Sequence, residues 1–202
     1  MLIKSLKSCV DREQASRLLA LSGMSGVLRR WLTGDLVLLA DIYIPYRLYK
    51  ITCEDPRSQS ARCYAIDALS GLLDPYQFSE APVQSEFVGT ETLNFIPPSL
   101  DEGLTRELAI EKARRVIFSR GFFQLAHPRI TAELIQPELY IPYWAGFYGN
   151  KQDLSIVVLN AVRRTVEGRK VAHAIKTWLL DEGRTNAQHG SEQMSEAATE
   201  RK

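Results

Sequence analysis

Apolar and polar positions alternate most regularly in IYIPYRLYKI at 42–51, where Ile42, Ile44, Tyr46 and Leu48 fall on one side and Tyr43, Pro45, Arg47 and Tyr49 on the other. A period of two marks a strand with two unlike faces. Pro45 has no N–H to give to a ladder, which predicts an edge position or a bulge there. Much the same word returns as LYIPYWAGFY at 139–148, a separation of 97 residues (139 − 42). Farther on, YAIDALSGLLD at 64–74 lies over VVLNAVRRTVE at 157–167 at a separation of 93 (160 − 67). The four-residue difference falls in a loop, where length changes cost little. A duplicated hairpin is the expectation.

Helical periods precede each copy. Asp11 with Gln14 reads as a capping box. Ala15, Leu18 and Leu19, then Val27, Leu28, Trp31 and Leu32 beyond a break at Gly23 and Gly26, predict one interrupted helix over 11–32. Ser99 with Glu102 reads as a second capping box, and Leu104, Leu108, Ala109, Ala113 and Val116 trace the face of a helix over 100–119. In the first copy EDPRSQSA at 54–61 is a polar turn, and ARCYAIDALSGLLD predicts two strands joined at Leu69-Ser70-Gly71. Residues 79–98 hold three prolines and read as a linker, with ETLNFI at 91–96 a short strand inside it. Extended structure after 121 is expected to break at Pro128 and Pro137, to turn at 149–153 and to continue as a buried strand at 154–162. Val171, Ile175, Trp178 and Leu179 predict a last helix over 168–181. From Gly183 onward only Met194 is large and apolar, a composition expected to stay disordered.

The order helix, strand, then a strand ending in AIDALSGLLD at 65–74 resembles the PepSY domain, a small helix-plus-antiparallel-sheet module of cystatin-like kind. ELAIEKARRVI at 107–117 is similar to the alanine-rich helix that opens such modules. The resemblance implies a non-catalytic role with peptide, protein or inhibitor partners and supplies no catalytic residues. The second copy departs from it by placing Arg163-Arg164 where the first has Ser70-Gly71.

Charge narrows the function classes. Lys and Arg number 25 against 24 Asp and Glu in 202 residues, a net charge of +1, so nothing draws the chain to nucleic acid or to an anionic membrane. A helix-turn-helix reading of 15–32 lacks basic excess and base-reading donors. The longest apolar runs are far short of a span, and the lysines at 4 and 7 leave no room for a secretory apolar region, which makes the cytoplasm the expected compartment. Three cysteines, Cys9, Cys53 and Cys63, fit free thiols there, although Cys53 and Cys63 end the first hairpin loop and face each other in this reading. His127, His173 and His189 fall in a loop, a helix and the tail without ligand spacing, so no metal or other cofactor is expected.

Asp67 and Asp74 read as turn carboxylates accepting backbone N–H groups rather than as an acid–base pair. Arg114-Arg115 and Arg163-Arg164 read as solvated charge rather than as an anion site. The candidate site is aromatic: Tyr43, Arg47, Tyr140 and Trp144 share the strand face opposite the aliphatic one, and if open they would form a rigid binding surface. The alternative is that the last helix or the sister sheet covers that face.

The expected fold is thus α+β, two tandem helix–hairpin units of PepSY-like, cystatin-like form related by a pseudo-twofold, plus a C-terminal helix. Its boundaries are 1–78, a linker at 79–98, 99–182, and a tail at 183–202. The expected role is a non-enzymatic binding or assembly module for a peptide, protein or small ligand. The rival is a small cystatin-like enzyme with an apolar pocket holding one acid or base.

Overall fold

The structure, a computed structural model, describes residues 1–20, 35–55, 58–78, 80–119, 129–149 and 154–180. In chain order the elements are β1 (Leu2–Leu6), α1 (Arg12–Ala20), β2 (Leu36–Asp55), β3 (Ser58–Asp67), β4 (Tyr76–Phe78), a 3₁₀ turn (Gln84–Glu86), β5 (Phe87–Glu91), α2 (Glu102–Ser119), β6 (Arg129–Gly149), β7 (Leu154–Asn160), β8 (Thr165–Val166) and α3 over 169–180. Among the described residues all eight strands belong to one sheet in the order β4-β3-β2-β6-β1-β5, with β7 on the β1 side of β6 and β8 beyond it. Among the described residues no helix is long and apolar enough to cross a membrane.

This corrects the expected architecture. The chain is not two tandem helix–hairpin units, because β2 and β6 pair with each other antiparallel along almost their whole length, from Leu36 opposite Tyr148 to Glu54 opposite Arg129. The sheet is also mixed, since β1 runs parallel to β6 at Ser5 opposite Tyr140. The segment read as a linker supplies β5, which pairs with β1, and a parallel bridge from Phe95 to Tyr43.

Both Tyr-Ile-Pro-Tyr words lie in the central pair, with Ile44 opposite Ile141 and each 0% exposed. Local bonding recurs about that rung. Tyr46 pairs with Asp67 of β3 as Tyr143 pairs with Asn160 of β7. The carbonyl of Pro45 accepts from Ala68 N–H at 2.9 Å, and that of Pro142 from Ala161 N–H at 3.0 Å. Pro137 does not break β6 either: the register passes from Tyr46–Leu139 to Leu48–Gln136, and Pro137 falls inside that irregularity.

Alternation assigns each face of the sheet its own helices. Ile42, Ile44, Tyr46 and Leu48 join Leu139, Ile141, Tyr143 and Ala145 in one cluster, closed by Val171 and Ile175 of α3. On the other face Leu39, Tyr148, Val157 and Leu159 meet Ala15 and Leu19 of α1, while Tyr49, Ile51, Tyr64 and Ile66 meet Ala109 and Ala113 of α2. Small residues set the distance of approach, since a Cβ on Gly146 would stand 3.1 Å from Leu19 of α1.

The helix starts are only partly those expected. Asp11 Oδ1 accepts Gln14 N–H at 2.8 Å, but α2 is capped by Asp101, which accepts Leu104 N–H at 2.8 Å, and not by Ser99. The continuation of the first helix and the helix-turn-helix reading of 15–32 fall mainly on 21–32, outside the described residues, as do the 183–202 tail, His127 and His189. Cys53 lies opposite Ser60 and Cys63 opposite Lys50, so the two thiols are three rungs apart on opposite faces and do not meet.

Instead of a second strand directly after a tight turn, residues 68–75 form a loop gathered by Asp67, which is 1% exposed. Its carboxylate accepts the N–H groups of Leu69, Ser70, Gly71 and Leu73 at 2.7–3.0 Å. Asn160 does a lighter version of the same work, accepting from Val162 and Arg163 at 3.0 and 2.9 Å. Charge-assisted bonds are the stronger, and each buried donor left unsatisfied costs roughly 1–3 kcal/mol. Asp67→Ala is therefore expected to lower unfolding free energy by about 3 kcal/mol or more and Asn160→Ala by about half as much. Urea denaturation at neutral pH checks this, and equal losses would contradict the ranking.

Candidate functional site

The four aromatic-face residues are wholly or partly covered, and by α1, α2, β1 and the 94–96 segment rather than by the last helix, which lies on the aliphatic side. Tyr140 is 0% exposed, donates to Glu138 Oε1 at 3.1 Å and meets the Phe95 ring edge-on at 6.0 Å. Trp144 packs against the α1 cluster and donates its indole N–H to Val10 O at 3.0 Å. Arg47 reaches the first turn of α2, donating to the carbonyls of Leu100 at 2.8 Å and Asp101 at 3.2 Å. Tyr43 is half-buried, and burial followed by the charge of Asp41 pushes its hydroxyl above the ordinary tyrosine value. Together the four tie the sheet to its surroundings, Tyr140 fully buried and Tyr43, Arg47 and Trp144 partly so.

The aliphatic face carries the concave site instead. A cavity of about 410 Å³ opens between the sheet, the loop after Asp67 and the start of α3, with Tyr46, Tyr143, Tyr76, Arg163, Glu167 and Lys170 among its walls. Tyr46 and Tyr143 stand at its floor, each 2% exposed, with hydroxyl oxygens 3.0 Å apart. Register explains their meeting: Ile42 is opposite Tyr143 and Tyr46 opposite Leu139, so both tyrosines project from the same face on adjacent strands.

The buried Asx residues place the rest. Asp67 is the rung beside Tyr46 and closes its loop on Leu73, which brings Leu73 and Asp74 to one wall. Asn160 is the rung beside Tyr143; it gathers the turn that carries Arg163 and donates its amide to Glu167 Oε1 at 2.9 Å. Arg164 takes the left-handed conformation, φ 58°, which Gly71 takes in the other loop at φ 68°. Arg163 then lies over the Tyr76 ring with its guanidinium carbon 3.4 Å from the centroid, close enough for a cation–π contact. Lys170 pairs with Asp74 at 3.0 Å on the exposed rim, where such a pair contributes little.

The chemistry of this floor is that of neutral hydroxyls. Burial pushes Tyr46 well above the ordinary tyrosine value, and its bond to Tyr143 with the charges of Asp67 and Glu167 adds to that. Burial also raises Tyr143, against the bond from Tyr46, which favours its phenolate. Two hydroxyls bring two protons and share one hydrogen bond, so one donor remains without an acceptor among the described residues. Among the described residues no group of three His, Cys, Asp or Glu is placed to hold a metal. His173 is exposed on α3 and lines a separate groove with Trp178.

Alternation already put Tyr46 on the aliphatic side, but its hydroxyl partner depends on the pairing of β2 with β6, which no local pattern announces. Comparison with family models, with curated proteins and with solved structures finds no match to this chain.

A hydroxyl that keeps its proton in the fold while the unfolded chain loses it contributes fully below about pH 10, and that contribution fades as pH rises above it. Unfolding free energy is therefore expected to fall from about pH 9.5 upward. Tyr43, Tyr49, Tyr76 and Tyr140 share in the fall because burial raises them too. A Tyr46→Phe plus Tyr143→Phe variant is expected to fall less steeply in urea titrations between pH 9 and 11. Parallel curves for variant and parent would assign the pair ordinary titration.

Proposed function

We propose that this protein is a non-catalytic binding module whose ligand is a small molecule seated in the Tyr46–Tyr143 cavity. One observation carries the reading: a pair of buried hydroxyls with an unused donor lines the floor of a concave site that also has apolar walls in Leu73 and Val171. Its size is within the roughly 300–1,000 Å³ usual for small-ligand sites, and a few convergent polar groups in an apolar cleft give orientation and specificity. The same class of role is what the resemblance of 65–74 to PepSY modules implies. A partner at Tyr43, Arg47, Tyr140 and Trp144 would first have to displace the elements covering them, so the ligand surface is assigned here to the opposite face.

A second reading is favoured by Glu167, whose charge acts on both Tyr46 and Tyr143. A carboxylate beside a hydroxyl donor is the arrangement that removes a proton next to a carbonyl while stabilising the oxyanion formed. The carboxylate is however engaged by Asn160, and exposed arginine and lysine side chains stand at the cavity rim.

A thermal-shift screen of a small-molecule library on the full chain tests the binding reading. Ligands at a hundred times their Kd are expected to add about 2.7 kcal/mol of stability, and Tyr46→Phe plus Tyr143→Phe is expected to abolish most of these shifts. Hits that stabilise parent and variant equally would move the site elsewhere. Turnover of a hit that stops in Glu167→Gln would favour the enzyme.

A further inference from the structure

We infer that the cavity recognises a carboxylate carried on an apolar body. This deepens the binding reading and rests on it. The first reason is the excess of donors. At the floor one hydroxyl proton of the Tyr46–Tyr143 pair has no acceptor among the described residues, and both side chains are 2% exposed. A buried donor of this kind favours an acceptor atom brought by a ligand.

Arg163 supplies the charge. Placed over the Tyr76 ring and hydrogen-bonded to that tyrosine, the guanidinium is fixed at the cavity, and as a group with five N–H donors it has others to give to an acceptor. Among the described residues it is in no salt bridge. Its planar fork fits the two oxygens of a carboxylate.

Balance decides between a single and a double charge. Around the cavity stand Arg163, Arg169 and Lys170 against Asp74 and Glu167, three cations and two anions, a net charge of +1. One carboxylate is neutralised by that surplus. A phosphate dianion would leave an excess negative charge near Glu167, whose repulsion falls on whatever anion enters. The Glu167 carboxylate is turned to the Asn160 amide, which leaves the Arg163 side the favoured one for the ligand anion.

Size and surface argue for more than a bare anion. A volume of about 410 Å³ far exceeds one carboxylate group, and Leu73, Val171 and the tyrosine rings offer apolar contact to the remainder.

Isothermal titration of the full chain with benzoate, with its neutral isostere benzamide and with inorganic phosphate tests the inference. Benzoate is expected to bind at least tenfold more tightly than benzamide or phosphate. Arg163→Ala is expected to weaken benzoate by about tenfold or more, Arg163→Lys less, and the double Tyr→Phe variant by about tenfold. Each variant is first shown to keep the parent's urea midpoint and far-ultraviolet spectrum to within a small shift, so that a lost ligand is not a lost fold. Benzamide binding as tightly as benzoate, or benzoate not binding, would overturn the carboxylate assignment. Phosphate binding more tightly than benzoate would overturn it in favour of a dianion. Neutral library ligands that stabilise the parent and not the double Tyr→Phe variant would keep the cavity as the binding site while the carboxylate assignment fails. No sensitivity of any ligand to either set of variants would remove both.

Discussion

The rung at which Ile44 faces Ile141 sets the parity of the whole molecule. Side chains alternate along a strand, so the choice of partner at that rung fixes which side every later residue occupies. A slip of one residue between β2 and β6 would carry Tyr143 to the α1 side and Trp144 to the α3 side. Both isoleucines are fully buried, and such a slip would expose one of two apolar rows to the wrong helix. The register is thus held by burial on both faces, which is a stronger constraint than either helix layer provides alone.

From that rung outward the loops follow. Burying a carboxylate costs several kcal/mol unless its oxygens are saturated with donors, and Asp67 is saturated by four backbone N–H groups of its own loop. The carboxylate therefore dictates a loop shape: any other path for 68–73 would leave it underbonded. Asn160 is neutral and needs less, and its turn closes on fewer residues before β8 returns along β7. Two loops gathered by different numbers of bonds consequently border one cavity. The one with more bonds contributes the apolar wall at Leu73 and the lighter one the cation at Arg163.

Much of the local structure was legible in the residues. The alternation of 42–48 assigned the aliphatic row to the interior, and the spacing of Ala109 and Ala113 marked the buried stripe of α2. Asp67 declared itself as a turn acceptor because a short carboxylate just before a Ser-Gly turn has backbone donors within reach. What was not legible is what joins distant segments. Nothing in LYIPYWAGFY says that it pairs with IYIPYRLYKI rather than lying beside it in a separate unit, because both arrangements bury the same row. β1 and β5 are too short for a periodic signal, and Pro137 reads as a breaker until the bulge that accommodates it is known. Ser99 reads as the cap because the Ser-x-x-Glu spacing imitates a capping box two residues ahead of Asp101, the cap that α2 uses. The alternation separates the aromatic face from the aliphatic one but leaves open whether it is exposed or covered, since that depends on where α1 and α2 land.

The same dependence on tertiary pairing hid the Tyr46–Tyr143 floor. Two phenylalanines would fill that space without removing two hydroxyls from water, and a buried neutral hydrogen bond returns only about 1 kcal/mol of net stability. Stability of the fold therefore gives no reason for tyrosine at either position. The hydroxyls are explained by what stands over them: they make the floor of a cleft with apolar walls and a charged rim a directed donor, held neutral by its own burial, with a cation fixed on an aromatic ring above it. A cleft built in this way distinguishes ligands by whether they bring an acceptor to the floor, because one that does not must leave the donor unsatisfied, whereas one that does gains a bond that water at the open rim competes for least.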